Sequence, residues 1–261
     1  MKKILIDASN IKVGGGVQVA LSLISDLEKS YATSFEFYYV VSSKVASQLV
    51  SAPSNLEVLD TSVRSMLPLD SSVRYLRAIS ARYDLVFTVM GPPFWTSKGR
   101  HLVGFANAWL FRKESPAYKV LPFFRKLKLR LKNAVLSWML FSPRRYYVTE
   151  TDVMKNLFVK KFSYRKDLYV VENRLPSIEE ALLSSNHQSV LDGISTNTFK
   201  FITIAHNYPH KNLDIICSVG QILEAAGHDF IFLVTFTDLE YQLTSSLFKK
   251  YTVNLGVLNV S

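Results

Sequence analysis

Lys200–Leu223 reads KFITIAHNYPHKNLDIICSVGQIL. An apolar run gives way to a polar turn, and then to apolar residues at helical spacing. Strand, turn and helix in that order is the unit from which parallel α/β sheets are built. The turn carries Lys211, with Pro209 fixing the backbone ahead of it. A lysine at a helix start sets a point charge beside free amides, an arrangement that suits a diphosphate. His206, Asn207 and His210 add donors nearby. The same residues are also compatible with a solvated helix start carrying incidental histidines.

The same alternation extends outward in both directions. Upstream, strands are expected at Ile4–Ile6, Phe35–Val41, Leu56–Leu59, Asp84–Val89, His101–Phe105, Tyr146–Thr149 and Leu168–Val171. Helices are expected at Val17–Leu27, Ser43–Val50, Ser71–Arg82, Phe123–Phe141 and Asp152–Phe162. Downstream come strand Phe199–Ala205, helix Asn212–Ala226, strand Phe230–Phe236, helix Glu240–Tyr251 and strand Val253–Leu258. The fold class is therefore α/β, with parallel βαβ units. A stretch rich in Ser, Asn and Gly at 184–197 reads as a linker. It divides an N-terminal Rossmann-like domain, 1–183, from an incomplete second one, 198–261, that holds half of a doubly wound sheet.

The chain has 261 residues, 48% hydrophobic and 20% charged, which is a core-forming composition. Its 31 Lys and Arg against 21 Asp and Glu give a net charge of +10 and point to anionic company. Cys217 is the only cysteine, which excludes an intrachain disulfide and a cysteine-rich metal site. The opening MKKILIDASN has too few apolar residues for a signal peptide, and no run approaches a membrane span. The expected location is the cytoplasm, either free or at the inner face of the cytoplasmic membrane. The aromatic residues lie within apolar strands and no nucleic-acid-binding signature occurs, so nucleic acid is not an expected partner.

Three further stretches bear on chemistry. Gly14, Gly15 and Gly16 precede the helix expected from Val17, and would let a ligand approach the backbone closely. They form neither G-x-G-x-x-G nor a P-loop, and no acidic residue ends the second strand, which argues against a dinucleotide cofactor. In PFFRKLKLRLKNAVLSWMLFSPRR, Phe124, Leu127, Leu131, Val135 and Trp138 share one arc, with Arg125, Lys126, Lys128, Arg130 and Lys132 on the remainder. Two readings stand: an anionic membrane surface contact, or an ordinary domain helix with a solvated basic face. After the strand at 101–105, Asn107 lies where α/β folds place ligands, while Trp109 and Phe111 read as packing residues. No Asp-x-Asp, His-x-x-x-His, Cys-x-x-Cys or G-x-S-x-G occurs, so nothing supports a metal or a serine nucleophile.

VGGGVQVALSLI, YYVTETDVMKNLF, YVVENRLPS and FITIAHNYPHKNLDII, in that order, resemble the group-1 nucleotide-sugar-dependent glycosyltransferases of bacterial polysaccharide synthesis. These have two Rossmann-like domains, the GT-B architecture. The resemblance implies an N-terminal acceptor-side domain, a C-terminal donor domain and retaining transfer from a nucleoside diphosphate sugar to a lipid-linked glycan. It implies no metal and no cofactor beyond that co-substrate, because basic groups and helix amides take the charge of the departing diphosphate. Carried over, Lys211, Asn207 and His210 bind the donor phosphates, Gly14–Gly16 shape the cleft, and Asn107 is the acceptor-side candidate.

The sequence departs from the family pattern in three places. No arginine precedes Lys211 in its turn, and Asn107 stands near where many members have a histidine, so no general base is named. Family members also continue for roughly 100 residues more, about another half-domain. That part carries a glycine-rich loop and paired glutamates for the nucleotide and sugar. The alternative expectation is therefore a truncated, inactive remnant that keeps acceptor or membrane binding, or that needs a complementing chain. Half a sheet would expose an unpaired edge and an uncovered apolar helix face.

Overall fold

The computed structural model describes residues 1–12, 14–62, 65, 70–107, 110–111, 122–140, 145–164, 166–172, 193–207 and 211–256. They form two compact α/β units. The expected domain boundary falls largely outside the described residues.

The first unit is a seven-stranded sheet, parallel throughout. Its strands are β1 (Lys2–Ala8), β2 (Phe35–Val41), β3 (Leu56–Val58), β4 (Leu85–Thr88), β5 (Arg100–Phe105), β6 (Arg145–Thr149) and β7 (Leu168–Val170). The order is β3-β2-β1-β4-β5-β6-β7. Strand β1 is thus interior, paired from Lys2↔Phe35 to Ala8↔Val41 on one side and from Ile4↔Leu85 to Asp7↔Thr88 on the other. Because strand side chains alternate, β1 feeds two cores. Ile6 and Ala8 pack with Val17, Ala20 and Ile24 of α1 (Gly15–Tyr31), and with Val45 of α2 (Ser43–Ala46). Leu5 packs with Val73, Leu76 and Ile79 of α3 (Ser71–Ser80) and with Trp95. Farther along the sheet, α4 (Phe123–Leu140) and α5 (Asp152–Phe162) contribute Leu136 and Phe158 to a third core with Val103, Phe105 and Tyr147.

The second unit is a three-stranded parallel sheet in the order β10-β9-β8: β8 (Phe199–Thr203), β9 (Phe230–Val234) and β10 (Thr252–Asn254). Ile216 of α6 (Ile215–Ala225) and Phe248 and Tyr251 of α8 (Ser246–Tyr251) cover Phe232 and Val234.

Several elements differ from the sequence expectation. The expected helix Glu240–Tyr251 is two: α7 (Asp238–Gln242) and α8. Thr237 and Glu240 form a capping box at the start of α7. Two residues beyond its end, the Thr244 hydroxyl bonds back to the Tyr241 carbonyl and Ser245 caps α8. Short polar side chains there compete with the helix ladder and restart it. Strand β8 stops at Thr203 and β10 at Asn254, shorter than expected. Helix α1 starts at Gly15, so Gly15 and Gly16 belong to its first turn instead of preceding it. Helix α6 starts at Ile215 and not at Asn212, whose φ of 51° is left-handed.

Candidate functional site

In an open α/β sheet, ligands bind beyond the carboxyl ends of the strands where the strand order reverses. In the first unit that point lies between β1 and β4. Each of the two loops there is held by the other. Asn10, just past β1, donates through Nδ2 to the Met90 carbonyl at 2.6 Å and to the Pro92 carbonyl at 3.4 Å. Its Oδ1 is buried and has no hydrogen-bond partner among the described residues. A buried acceptor left this way is an exception that marks sites of strain or of ligand contact.

Gly14 caps α1 with φ of 68°, a conformation that L side chains rarely adopt, and offers no side-chain cap. A Cβ added at Gly14 or Gly15 would meet nothing within 4 Å, so the helix start opens outward. At Gly16 it would lie 3.4 Å from Ile11 and 3.8 Å from Met90, so the wall of the crevice is close there. The structure therefore brings Gly14–Gly16, Asn10 and Met90–Pro92 together. Asn107 lies two strands away, beyond the end of β5, where its carbonyl accepts from the Leu110 amide. Trp109 lies outside the described residues. Phe111 packs edge-on against Phe105 at 5.4 Å, as a core residue.

Beneath the crevice a buried polar network fixes β1 against β4 and β5. The Asp7 carboxylate accepts from the Ser9 amide (3.1 Å), the Ser9 hydroxyl (2.6 Å), the Thr88 hydroxyl (3.0 Å) and the Trp95 indole N–H (2.8 Å). A buried charge needs this many donors to offset its lost hydration. Since Thr88 gives its proton to Asp7, His101 must donate from Nε2 to the Thr88 oxygen at 2.9 Å. Its Nδ1 then accepts from the Ser97 amide at 3.4 Å. Burial, helped by the charge of Arg145, pushes the His101 pKa down to about 3, so the ring is neutral. The sequence places Asp7 just past the strand expected at Ile4–Ile6 and gives it no role. Trp95 is 88 residues away from it, and ordinary residue types carry no sign of such pairing.

Gly104 fits the same floor by size. A Cβ there would lie 2.0 Å from the Val89 carbonyl oxygen. At the opposite edge, a basic hollow of about 410 Å³ is lined by Arg77, Thr96–Gly99, His101 and Arg145. It sits at the amino ends of β5 and β6, away from the switch point. Arg145 there donates to the Trp95 carbonyl (3.1 Å) and the Thr96 hydroxyl (2.9 Å).

In the second unit, His206 and Asn207 follow β8. The Ala205 amide donates to Thr235 Oγ1 at 3.2 Å, tying that segment to the end of β9. His206 Nδ1 is 3.3 Å from Glu240 Oε2. Partial burial pushes the Glu240 pKa up, yet Thr237 and His206 hold it below the usual carboxylate value. Asn207 and Lys211 are exposed, and His210 lies outside the described residues. Lys211 is four residues ahead of α6 and not at its first turn. The amides of Ile215, Ile216 and Cys217 already donate to the carbonyls of Asn212, Leu213 and Asp214, at 3.2, 3.0 and 3.1 Å. Asp214 occupies the N-cap. The expected pairing of a lysine with free helix amides is thus replaced by an exposed Lys211 ahead of a helix start that is satisfied internally. Among the described residues, no group of His, Cys, Asp and Glu could hold a metal ion.

No family model matches the sequence, and no curated protein is similar to it by sequence. Solved structures are similar in fold. HepE from Anabaena, in complex with UDP and glucose, has a TM-score of 0.59 at 12% identity, over 100% of this chain and 70% of its own. A UDP-glucose:anthocyanidin 3-O-glucosyltransferase in complex with UDP has 0.53 at 14%, over 97% and 71%. The UDP-GlcNAc 2-epimerase from Neisseria meningitidis bound to UDP-GlcNAc has 0.53 at 14%, over 99% and 73%. At such identities the likeness is one of fold: this chain has the Rossmann-like α/β architecture of the GT-B glycosyltransferases and of the 2-epimerases.

Proposed function

We propose that this chain acts in nucleotide-sugar chemistry, as a glycosyltransferase of surface polysaccharide synthesis that takes a lipid-linked glycan as acceptor. The observation that carries the reading is the β1/β4 crevice, walled by an outward-opening glycine helix start and by Met90–Pro92, in a fold shared with UDP-bound proteins. In the transfer, the bond between the sugar C1 and the diphosphate oxygen breaks. A bond from C1 to an acceptor hydroxyl oxygen forms, and the hydroxyl proton passes to the departing diphosphate. Lys211, Asn207 and His210 stabilise the departing diphosphate, without a metal. Gly14–Gly16 and Asn107 form the acceptor side.

The test is calorimetric titration of the purified chain with UDP and GDP, alongside Lys211→Ala. The expected outcome is binding of one nucleotide, weakened about 10- to 100-fold in the variant, the range of a lost charge-assisted hydrogen bond. Equal binding by both proteins would remove Lys211 from the site. No binding by a folded chain would overturn the reading.

A second reading is favoured by exposed apolar side chains on the second unit: Phe199, Ile202 and Ile204 at β8, and Ile215 and Ile222 on α6. In it, the chain keeps acceptor or membrane binding, and donor transfer requires a complementing polypeptide that covers these side chains. Transfer activity restored by such a chain, and absent without it, distinguishes the two readings.

A further inference from the structure

Helix α4 carries its apolar stripe on the wrong side for a core helix. Its contact with the body of the unit runs along Lys126, Leu129, Asn133 and Leu136, the positions with reduced exposure. Asn133 and Leu136 are buried, and Leu136 joins the core with Val103 and Tyr147. At 100° per residue, Phe124, Leu127, Leu131, Val135 and Trp138 fall on an arc almost diametrically opposite. They face solvent: Phe124 is 81% exposed, Leu131 62% and Trp138 74%. Isolated exposed apolar residues are ordinary, whereas a continuous stripe containing two aromatics marks an interaction surface.

The charges beside the stripe identify what covers it. Arg125, Lys128 and Lys132 line one flank, and Arg130 the other, with no Asp or Glu anywhere in the helix. An apolar arc between cationic flanks matches a bilayer interface, where acyl chains meet anionic headgroups. Tryptophan and the aliphatic stems of Lys and Arg are suited to that depth. No helix among the described residues is long and apolar enough to cross a membrane, so the contact would lie in the plane of the interface.

We propose that α4 docks the first unit on an anionic lipid bilayer, with Phe124, Leu127, Leu131 and Trp138 inserted below the headgroups and Arg125, Lys128, Arg130 and Lys132 among them. The proposal rests on the reading above only for what waits in that bilayer, a lipid-linked acceptor. Docking is therefore measured without donor or acceptor, so that failure of docking and failure of transfer are told apart.

The experiment is co-sedimentation of the full chain with phosphatidylcholine vesicles, with and without about 30% phosphatidylglycerol, together with Trp fluorescence. The expected result is binding to the anionic vesicles, weakened by salt, with a blue shift that Trp138→Phe removes. Lys128→Gln with Lys132→Gln should lower partitioning about 10- to 30-fold. Leu131→Gln with Trp138→Gln should abolish it. All four positions are exposed, and far-UV circular dichroism checks that each variant folds. A folded chain that ignores anionic vesicles would overturn the proposal. So would a concentration-dependent dimer that only the apolar pair disrupts, or retention on duplex DNA in place of vesicles.

Discussion

His101 shows how a single side chain ties stability to pH. Its ring is neutral in the fold, with a pKa pushed down by burial, and by Arg145, to about 3 against 6.5 in the unfolded chain. Between those values the unfolded chain binds the extra proton, so stability rises with pH. The contribution is complete above about pH 6.5 and is lost as pH falls towards 3. Thermal melts from pH 7.5 to 4.5 should show Tm falling with acid, and His101→Gln should flatten that slope. An unchanged slope would mean that the proton is taken up elsewhere. This network was mostly illegible in the sequence. Asp7 merely follows the strand expected at Ile4–Ile6, and Asp7, Thr88, Trp95 and His101 acquire meaning only once the register pairs Asp7 with Thr88.

At the scale of elements, the sequence was most legible where local chemistry and packing agree. FEFYYVV is β-branched and aromatic except at Glu36, and β2 spans Phe35–Val41 as expected. Helix α5 runs over the expected Asp152–Phe162, with the Thr151 side chain accepting from the Met154 amide. Legibility failed where polar residues compete for the backbone. The apolar spacing through Glu240–Tyr251 is continuous, yet Ser245 takes the Phe248 amide at 3.1 Å and starts a new helix. Removing that cap by Ser245→Ala should cost about 1 kcal/mol, read from urea denaturation followed by circular dichroism. No loss of stability would show that the break is imposed by packing and not by the cap. Helix α4 is the reverse case: its pattern was read correctly, but spacing alone cannot say which arc meets the protein.

For the whole molecule, the two units have very different means of support. Among the described residues, the first has three hydrophobic cores around seven strands, and the second has one core against three strands. Scanning calorimetry should therefore show two transitions, the lower one belonging to the smaller unit. Phe248→Ala should shift only the lower transition, and Val86→Ala only the upper. One transition moved by both substitutions would show that the units unfold together. The fold class was legible because alternation of strand and helix is a chain-long signal, whereas the crevice depends on which strands end up adjacent. That adjacency has a consequence for synthesis. Strand β1 leaves the ribosome well before its second neighbour, β4, which follows some eighty residues later. Until Pro92 emerges, the glycine turn has no opposing wall, and one edge of the nascent sheet stays open to whatever chaperone reaches it first.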